Sequence, residues 1–311
     1  MSSTDHAPMS PARLRRRYVA ALASGLLLAA GVVSAAAPAT ASVPVRVLDV
    51  MANDNCDQFP CGDSFDLSSD HLTAGLIDVR LHNVGHVDHQ VQFMRLHDGI
   101  DPGFYLDSIS HNGGATALVF ADAMGGSNAV VPGASQETWV NLPAGTYVAL
   151  CFQDGPGGPP HFVLGMHAIF TVTGQGNSAH PPAYVRGTIS AFTSVTTSGE
   201  TLGFHLPAVI DGHGIYRFVN TAATDTHELT LLKLKTGMHK ADVLAWLTAP
   251  VGQPPFSSAG GNGALAPGGQ AWVRLNLSPG DYVAACFVPD NEAPHLPHSE
   301  LGMIDEFHVA G

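Results

Sequence analysis

Basic side chains are scarce in this sequence, which has 13 Lys and Arg against 26 Asp and Glu in 311 residues. Removing residues 1–41 as a signal peptide takes away four Arg and one Asp, which leaves 9 basic and 25 acidic residues and a net charge of −16. A surface of that charge repels nucleic acid and anionic membranes. We therefore expect no nucleic-acid partner, and we interpret the acidic balance as a source of solubility rather than as a binding surface.

Charged residues of both signs amount to only 13% of the chain, whereas it contains 34 Gly and 22 Pro. This composition favours strands joined by many turns over helices. Several catalytic motifs are missing, among them Gly-X-Ser-X-Gly, His-Glu-X-X-His and a phosphate-binding glycine loop. Beyond the N-terminal segment no apolar run is long enough to span a bilayer, so we expect no membrane insertion of the mature chain.

The N-terminal segment has the features of a signal peptide. Four Arg between positions 13 and 17 precede an apolar run from Tyr18 to Ala36, and the small residues Ala39–Ala41 follow as a cleavage signal. We predict that residues 1–41 are removed during export by the Sec or the twin-arginine pathway. The mature chain is then secreted or otherwise extracytoplasmic.

The rest of the chain contains one unit twice. Leu81–Leu96 resembles Phe218–Leu234, Gly125–Phe152 resembles Gly260–Phe287, and equivalent positions lie 135 to 137 residues apart. A repeat of this length is a duplicated domain rather than a solenoid repeat. The predicted boundaries are a first domain at 42–173, a linker at 174–182 and a second domain at 183–311.

Within each copy the pattern is typical of short strands. Apolar and polar residues alternate along Val87–Phe93 and along Val273–Leu277, and turn residues bound such segments. Because the strands show no βαβ rhythm, each copy is predicted to be an all-β antiparallel sandwich. One helix is predicted at Lys240–Leu247, with a less regular counterpart within Gly103–Met124.

Each copy also contains four potential metal ligands in the same order: an inward-facing His on a strand, a Cys at a strand end, a second His in the following turn, and a Met five positions later. Two His, one Cys and a weak axial Met select copper and support one-electron transfer. The candidate ligands are His89, Cys151, His161 and Met166 in the first copy and His227, Cys286, His298 and Met303 in the second.

Structural roles remain as alternatives for these residues. A buried Cys is often a small apolar residue, an inward His can be hydrogen-bonded in the core, and a Met can fill a gap. Cys151 and Cys286 would form a disulfide only if their Cα atoms came within about 7 Å of each other. Cys56 and Cys61 are the easier disulfide pair in an exported chain.

Each unit resembles a cupredoxin, the Greek-key β-sandwich of the blue copper proteins. The resemblance rests on the Asn before each inward His (Asn83 and Asn220), on LPAGTYVALC with its partner LSPGDYVAAC, and on HFVLGM with its partner HSELGM. It covers nearly all of residues 65–173 and 183–311. It implies two tandem cupredoxin-like domains, in which the eight candidate ligands would hold one or two type 1 copper ions.

The distance between Cys and the second His departs from plastocyanin. Nine residues separate them in the first copy and eleven in the second, and a longer loop at this point is more similar to copper nitrite reductases. His295 and His86 are competing ligands for the second and first sites.

The resemblance leaves three functions open. No His lies next to Cys151 or Cys286 and no His-X-His pair is present, so we expect neither a multicopper oxidase nor a nitrite reductase. An exported one-electron carrier with type 1 copper and a redox protein partner is the leading interpretation. The alternatives are a copper storage or delivery protein, and a metal-free tandem sandwich used for extracellular interactions.

Overall fold

The computed structural model describes residues 45–55, 62–113, 116–154, 158–176, 179–197, 199–291 and 295–311. The predicted signal peptide, and the proposed Cys56–Cys61 pair, lie outside these residues, so both stay predictions. Among the described residues, no helix has the length and apolar character needed to cross a membrane.

The described residues of the first half form mainly strands, together with one α-helix. Its strands are β1 (Arg46–Asn55), β2 (Gly62–Leu67), β3 (His71–Thr73), β4 (Gly75–Asn83), β5 (Gln92–Leu96), β6 (Ala121–Ala123), β7 (Ser135–Leu142), β8 (Gly145–Leu150) and β9 (His167–Thr173), and its helix is α1 (Pro102–Asn112).

The second half repeats much of this order. Its strands are β10 (Val185–Thr196), β11 (Gly199–His205), β12 (His213–Asn220), β13 (His227–Leu234), β14 (Phe256–Leu265), β15 (Gln270–Asn276), β16 (Gly280–Ala285) and β17 (Ile304–Val309), and its helix is α2 (Lys240–Thr248).

The predicted all-β sandwich is confirmed. In the first half β1, β2, β4 and β7 form one layer, and β3, β9, β8, β5 and β6 form the other. In the second half β11, β10, β12 and β15 face a layer of β14, β13, β16 and β17. The pairing is mainly antiparallel, but three pairs are parallel, β1 with β4, β3 with β9 and β10 with β12, which the sequence pattern did not predict.

Alternating burial explains why these segments are strands. Along β1, Leu48, Val50 and Ala52 are fully buried while the residues between them are not. Since successive side chains of a strand point to opposite faces, this spacing turns one face of the sheet to the core. Each fully buried Leu or Val stabilises the fold by about 1.5–3 kcal/mol.

The two halves share one sheet. Strand β7 of the first half pairs antiparallel with β15 of the second, so the two larger layers form an eight-stranded sheet in the order β11-β10-β12-β15-β7-β4-β1-β2. Thr138 pairs with Val273, which is its equivalent in the repeat. Ser127 pairs in the same way with its own equivalent, Asn262. The copies are thus related by a pseudo-two-fold axis.

The helices agree only in part with expectation. Helix α2 covers the predicted Lys240–Leu247 and one further residue. Helix α1 ends at Asn112, well short of Met124, because Gly113 adopts a φ of 80° and closes the last turn through a bond to Ile109. A positive φ of this kind is characteristic of helix ends.

In each copy a tyrosine hydroxyl fixes the turn that precedes the strand leading to the Cys, which is β8 in the first copy and β16 in the second. Tyr147 donates to the carbonyl oxygen of Pro143 at 2.6 Å, and Tyr282 to that of Ser278 at 2.7 Å. We expect Tyr147→Phe and Tyr282→Phe each to lower the free energy of unfolding by about 1 kcal/mol, because one hydrogen bond is lost at constant packing. Denaturant unfolding measures this, with the exposed Tyr184→Phe as a control that should change nothing. Equal effects at all three positions would contradict a role for the turns.

Candidate metal centres

The first three candidate ligands of copy one meet in the core. The Nδ1 atoms of His89 and His161 lie 3.1 Å apart, and the Sγ of Cys151 lies 3.9 Å from the first and 3.5 Å from the second. The three side chains are 0 to 2% exposed. Residues separated by up to 72 positions in sequence thus turn one donor atom each to a common point.

The second copy repeats this arrangement with nearly the same dimensions. The Nδ1 atoms of His227 and His298 lie 3.1 Å apart, and the Sγ of Cys286 lies 3.8 Å and 3.4 Å from them. Among the described residues, these two triads are the groups of His, Cys, Asp or Glu whose donor atoms converge closely enough to hold a metal ion.

The size of both triangles fits one small ion. Metal–nitrogen bonds of about 2.0–2.1 Å and a metal–sulfur bond of about 2.3 Å place the donor atoms roughly 3–4 Å from one another. Two imidazoles and one thiolate form the donor set that suits copper in a trigonal site. The residues present therefore fit a copper ion in each copy.

The same backbone hydrogen bonds hold the Cys, the second His and the Met together in both copies. Cys151 N–H donates to the carbonyl oxygen of Met166 at 3.2 Å, and Met166 N–H donates to that of His161 at 2.9 Å. In the second copy, the corresponding bonds from Cys286 to Met303 and from Met303 to His298 are 3.2 and 2.9 Å. Both methionines are fully buried, and these bonds connect the backbone of each to the Cys and the second His of its triad.

The extra loop residues do not displace the second histidine. His161 N–H donates to the oxygen of Gln153 at 2.8 Å, and His298 N–H to that of Val288 at 3.0 Å. Gln153 and Val288 are both the second residue after the Cys, so the difference of two residues is confined to the loop beyond them. The length of the loop changes while the position of the ligand does not.

The asparagine of each motif anchors the segment before the first His. Asn83 donates to the oxygens of Val87 and Val130, both at 2.8 Å. Asn220 donates to those of Asp225 and Leu265 at 2.7 and 2.8 Å. These amides fasten the approach of the His to the neighbouring strand segment, which explains why the Asn recurs.

Neither competing histidine joins a triad. His86 Nδ1 lies 2.7 Å from a carboxylate oxygen of Asp54, outside the donor triangle. His295 is exposed, has a φ of 61°, and its Nδ1 lies 2.9 Å from the backbone oxygen of Asp290. The expectation that these residues compete as ligands is therefore wrong for this conformation. Cys151 and Cys286 are free thiols, so they do not form a disulfide.

The outer nitrogens of the first histidines have partners that the sequence did not reveal. His89 Nε2 lies 2.9 Å from Asp54 Oδ2, and His227 Nε2 lies 2.8 Å from Thr193 Oγ1. Both partners occupy equivalent positions on β1 and β10, but their residue types differ, so the sequence pattern contained no signal for them.

Burial controls the protonation of the metal-free triads. It lowers the pKa of His161 and of His227 to about 4, and it also lowers the pKa of His298. It raises the pKa of the Cys151 thiol to about 12 and raises that of Cys286 as well. At neutral pH these imidazoles are therefore uncharged and both thiols keep their protons.

A cavity of about 340 Å³ lies between the two halves. Five of its lining residues directly follow a candidate ligand in sequence, and these are Gln90, Phe152, Phe162, Glu228 and Phe287. Glu228 is buried, its carboxylate accepts the N–H of Phe287 at 2.9 Å, and burial raises its pKa. The cavity thus borders both candidate centres.

The fold follows from the sandwich architecture and from the two triads, whose Cys residues directly follow β8 and β16. It is cupredoxin-like. No family model matches the sequence, and no curated protein matches it.

Several solved structures of copper proteins resemble the chain. A multicopper oxidase has 16% identity and a TM-score of 0.26, with 87% of this chain and 92% of that chain covered. Auracyanin A, a blue copper protein of Chloroflexus aurantiacus, has 18% identity and a TM-score of 0.27, with 41% and 99% covered. The copper nitrite reductase of Nitrosomonas europaea has 12% identity and a TM-score of 0.24, with 86% and 94% covered. At these values the cupredoxin-like description rests on the architecture of this chain itself.

Proposed function

We propose that this chain is an exported copper protein that binds one copper ion in each half and transfers single electrons to or from a protein partner. The observation that carries the proposal is the repeated triangle of donor atoms. Its three distances differ by no more than about 0.1 Å between two copies of quite different loop length.

The residues around each triad would prepare it for this role. When bound, copper supplies the change between Cu(I) and Cu(II), which moves one electron. The chain holds its donor atoms in place with backbone hydrogen bonds and excludes water from them, since none is more than 2% exposed. Fixed ligands and a dry surrounding control the reduction potential of such a site. Met166 and Met303 are the proposed axial ligands.

Burial argues against storage or delivery. A metal that must be exchanged quickly needs an entry path to its ligands, whereas all six His and Cys side chains are buried.

A metal-free scaffold is also a weaker explanation. Burying polar groups costs stability, and the inward Nδ1 atoms of each triad find the hydrogen-bond partners described here within the triad itself. Apolar residues would fill these buried positions at lower cost, so the triads are better explained by a metal.

Copper titration followed by visible absorption tests the proposal. We expect the chain from residue 42 onward to bind two equivalents with an intense thiolate-to-copper band. Cys151→Ser and Cys286→Ser should each remove one equivalent and part of the band, because the thiolate is the strongest donor of each triad. The double variant should bind none. His86→Gln and His295→Gln are matched controls, and both should keep two equivalents.

Two results would overturn the proposal. One is a folded wild-type chain that takes up no copper. The other is a double variant that still binds two equivalents with the same band, since the ion would then lie elsewhere.

A further inference from the structure

The two first histidines have chemically different partners behind their outer nitrogens. The carboxylate of Asp54 lies 2.9 Å from His89 Nε2, and the hydroxyl of Thr193 lies 2.8 Å from His227 Nε2. Asp54 is 1% exposed and His89 is fully buried, so this contact is shielded from water. One centre therefore has an acidic group at the position where the other has a neutral hydroxyl.

Strand pairing shows that these partners are structurally equivalent. In the first copy Ala52 of β1 lies opposite Asn83, and in the second Ala191 of β10 lies opposite Asn220. Asp54 and Thr193 each follow two residues later on the same strand. The contrast is therefore a substitution at one position of the repeated unit, not a difference in topology.

A second substitution accompanies the first. A Cβ on Gly85 would lie 2.6 Å from Asp54 Oδ2 and 2.7 Å from His89 Nε2, which is too close for either contact to persist. The equivalent residue of the second copy is Ala222. The N–H of Gly85 donates to the side-chain oxygen of Asn83, and the N–H of Ala222 donates to that of Asn220, both at 3.0 Å. Glycine in the first copy thus leaves the space in which carboxylate and imidazole meet.

Further hydrogen bonds fix the Asp54 carboxylate. It accepts the backbone N–H groups of His86 at 2.7 Å and Val87 at 3.0 Å, and it lies 2.7 Å from His86 Nδ1. Among the ion pairs of the described residues, none joins Asp54 to Lys or Arg. The His89 imidazole is therefore the group on which this carboxylate acts inside the core.

We propose that Asp54 is a positioning residue that sets the copper affinity and reduction potential of the first centre through His89, an influence that the second centre lacks. The inference rests on the proposed copper function. By accepting a hydrogen bond from the Nε2–H of His89, Asp54 holds Nδ1 toward Cys151 and makes the imidazole a stronger metal ligand. A stronger donor and a buried negative charge both favour Cu(II) over Cu(I).

The second centre has a buried carboxylate of its own, and this shapes the test. Glu228 accepts from Phe287 N–H at 2.9 Å and from the Thr230 hydroxyl at 3.1 Å, and neither group is an imidazole nitrogen. Its presence means that the two centres should not be ranked against each other. Each centre is instead compared with its own variants.

The experiment uses single-centre chains. Cys286→Ser keeps the first centre and Cys151→Ser keeps the second. In the Cys286→Ser chain, we expect Asp54→Asn to lower Cu(II) affinity about ten- to a hundredfold and to raise the reduction potential, with a smaller change in Cu(I) affinity. Asn keeps an acceptor oxygen but removes the charge. In the Cys151→Ser chain the same substitution should leave affinity and potential unchanged.

Gly85→Ala is the second, independent variant. It keeps the charge but pushes the carboxylate away from His89, so affinity and potential should shift in the same direction as with Asp54→Asn. The backbone at Gly85 does not adopt a positive φ, so Ala adds no strain of that kind. If Asp54→Asn does not fold, Gly85→Ala decides. Thr193→Asp together with Ala222→Gly in the Cys151→Ser chain is the reverse change, and it should lower the potential of the second centre.

The outcomes separate the two levels of inference. A Cys286→Ser chain that folds but binds no copper would overturn the proposed function. Nitrogen-15 chemical shifts of His89 in the metal-free chain then still test the contact, since Asp54→Asn should alter the Nε2 shift of that ring. If copper binds and neither Asp54→Asn nor Gly85→Ala changes affinity or potential, the role of Asp54 is wrong. Equal changes at both centres would also overturn it, because they indicate a general structural effect.

Discussion

Gly261→Ala is expected to lower the free energy of unfolding by about 3–5 kcal/mol, the range of severe single substitutions. Gly261 has a φ of 121°, and a Cβ there would overlap the backbone oxygen of Leu229 and lie 3.0 Å from its carbonyl carbon. Leu229 is in β13, two residues after His227, so neither side can yield without moving the strand that carries a candidate ligand. Denaturant unfolding measures the loss.

Gly268→Ala is the matched control for this prediction. Gly268 has a φ of 74°, but a Cβ there would have nothing within 4 Å. Only the strain of a left-handed residue remains, which costs about 1–2 kcal/mol. If both variants lose the same stability, backbone overlap at Gly261 is not the cause. Gly126→Ala in the first copy should behave like Gly261→Ala, because its Cβ would overlap the oxygen of Val91.

Copper affinity is expected to rise about tenfold for each pH unit between about pH 5 and pH 8, which corresponds to one proton released per ion. Burial raises the pKa of Cys151 to about 12 and raises that of Cys286, so copper must displace a proton from each thiol. The pKa of His161 and of His227 is lowered to about 4, so these rings lose no proton in this range. Binding therefore strengthens as pH rises.

Proton release can be counted directly. Calorimetric titration of copper in buffers of different ionisation enthalpy should give about one proton per ion at pH 7 for Cys151→Ser and for Cys286→Ser. A count of two or more per ion would show that the histidines are protonated before binding. A count of zero would show that the thiols are already ionised. Either result would contradict the protonation described for the buried triads.

The sequence predicts the sandwich and both triads because these depend on local patterns. Alternation marks the faces of the strands, and the repeated Tyr-to-Cys segments end at equivalent points. The loop after each Cys then brings the second His back beside the segment that follows the Cys, as the hydrogen bonds from His161 to Gln153 and from His298 to Val288 show. Two copies of one pattern supply the test that a single copy lacks.

Other features depend on pairing between distant strands, which local patterns do not encode. Asp54 meets His89 only because β1 runs parallel to β4, and alternation tells which face of a strand is buried but not which strand lies beside it. The shared sheet is hidden for the same reason, since β15 shows where its buried side chains are but not that its free edge meets β7. Sequence spacing likewise predicted His295 as a competing metal ligand, although its side chain is exposed to solvent.

The junction between the halves has the form of a symmetric dimer contact. Met124 pairs with Leu265 while Val130 pairs with Ala259, and each of these pairs is the other with the copies exchanged. Self-complementary contacts of this type are those by which two identical subunits associate. Joining the copies in one chain replaces an encounter between molecules with an intramolecular one. The association then no longer depends on concentration, so the two triads remain together at any dilution.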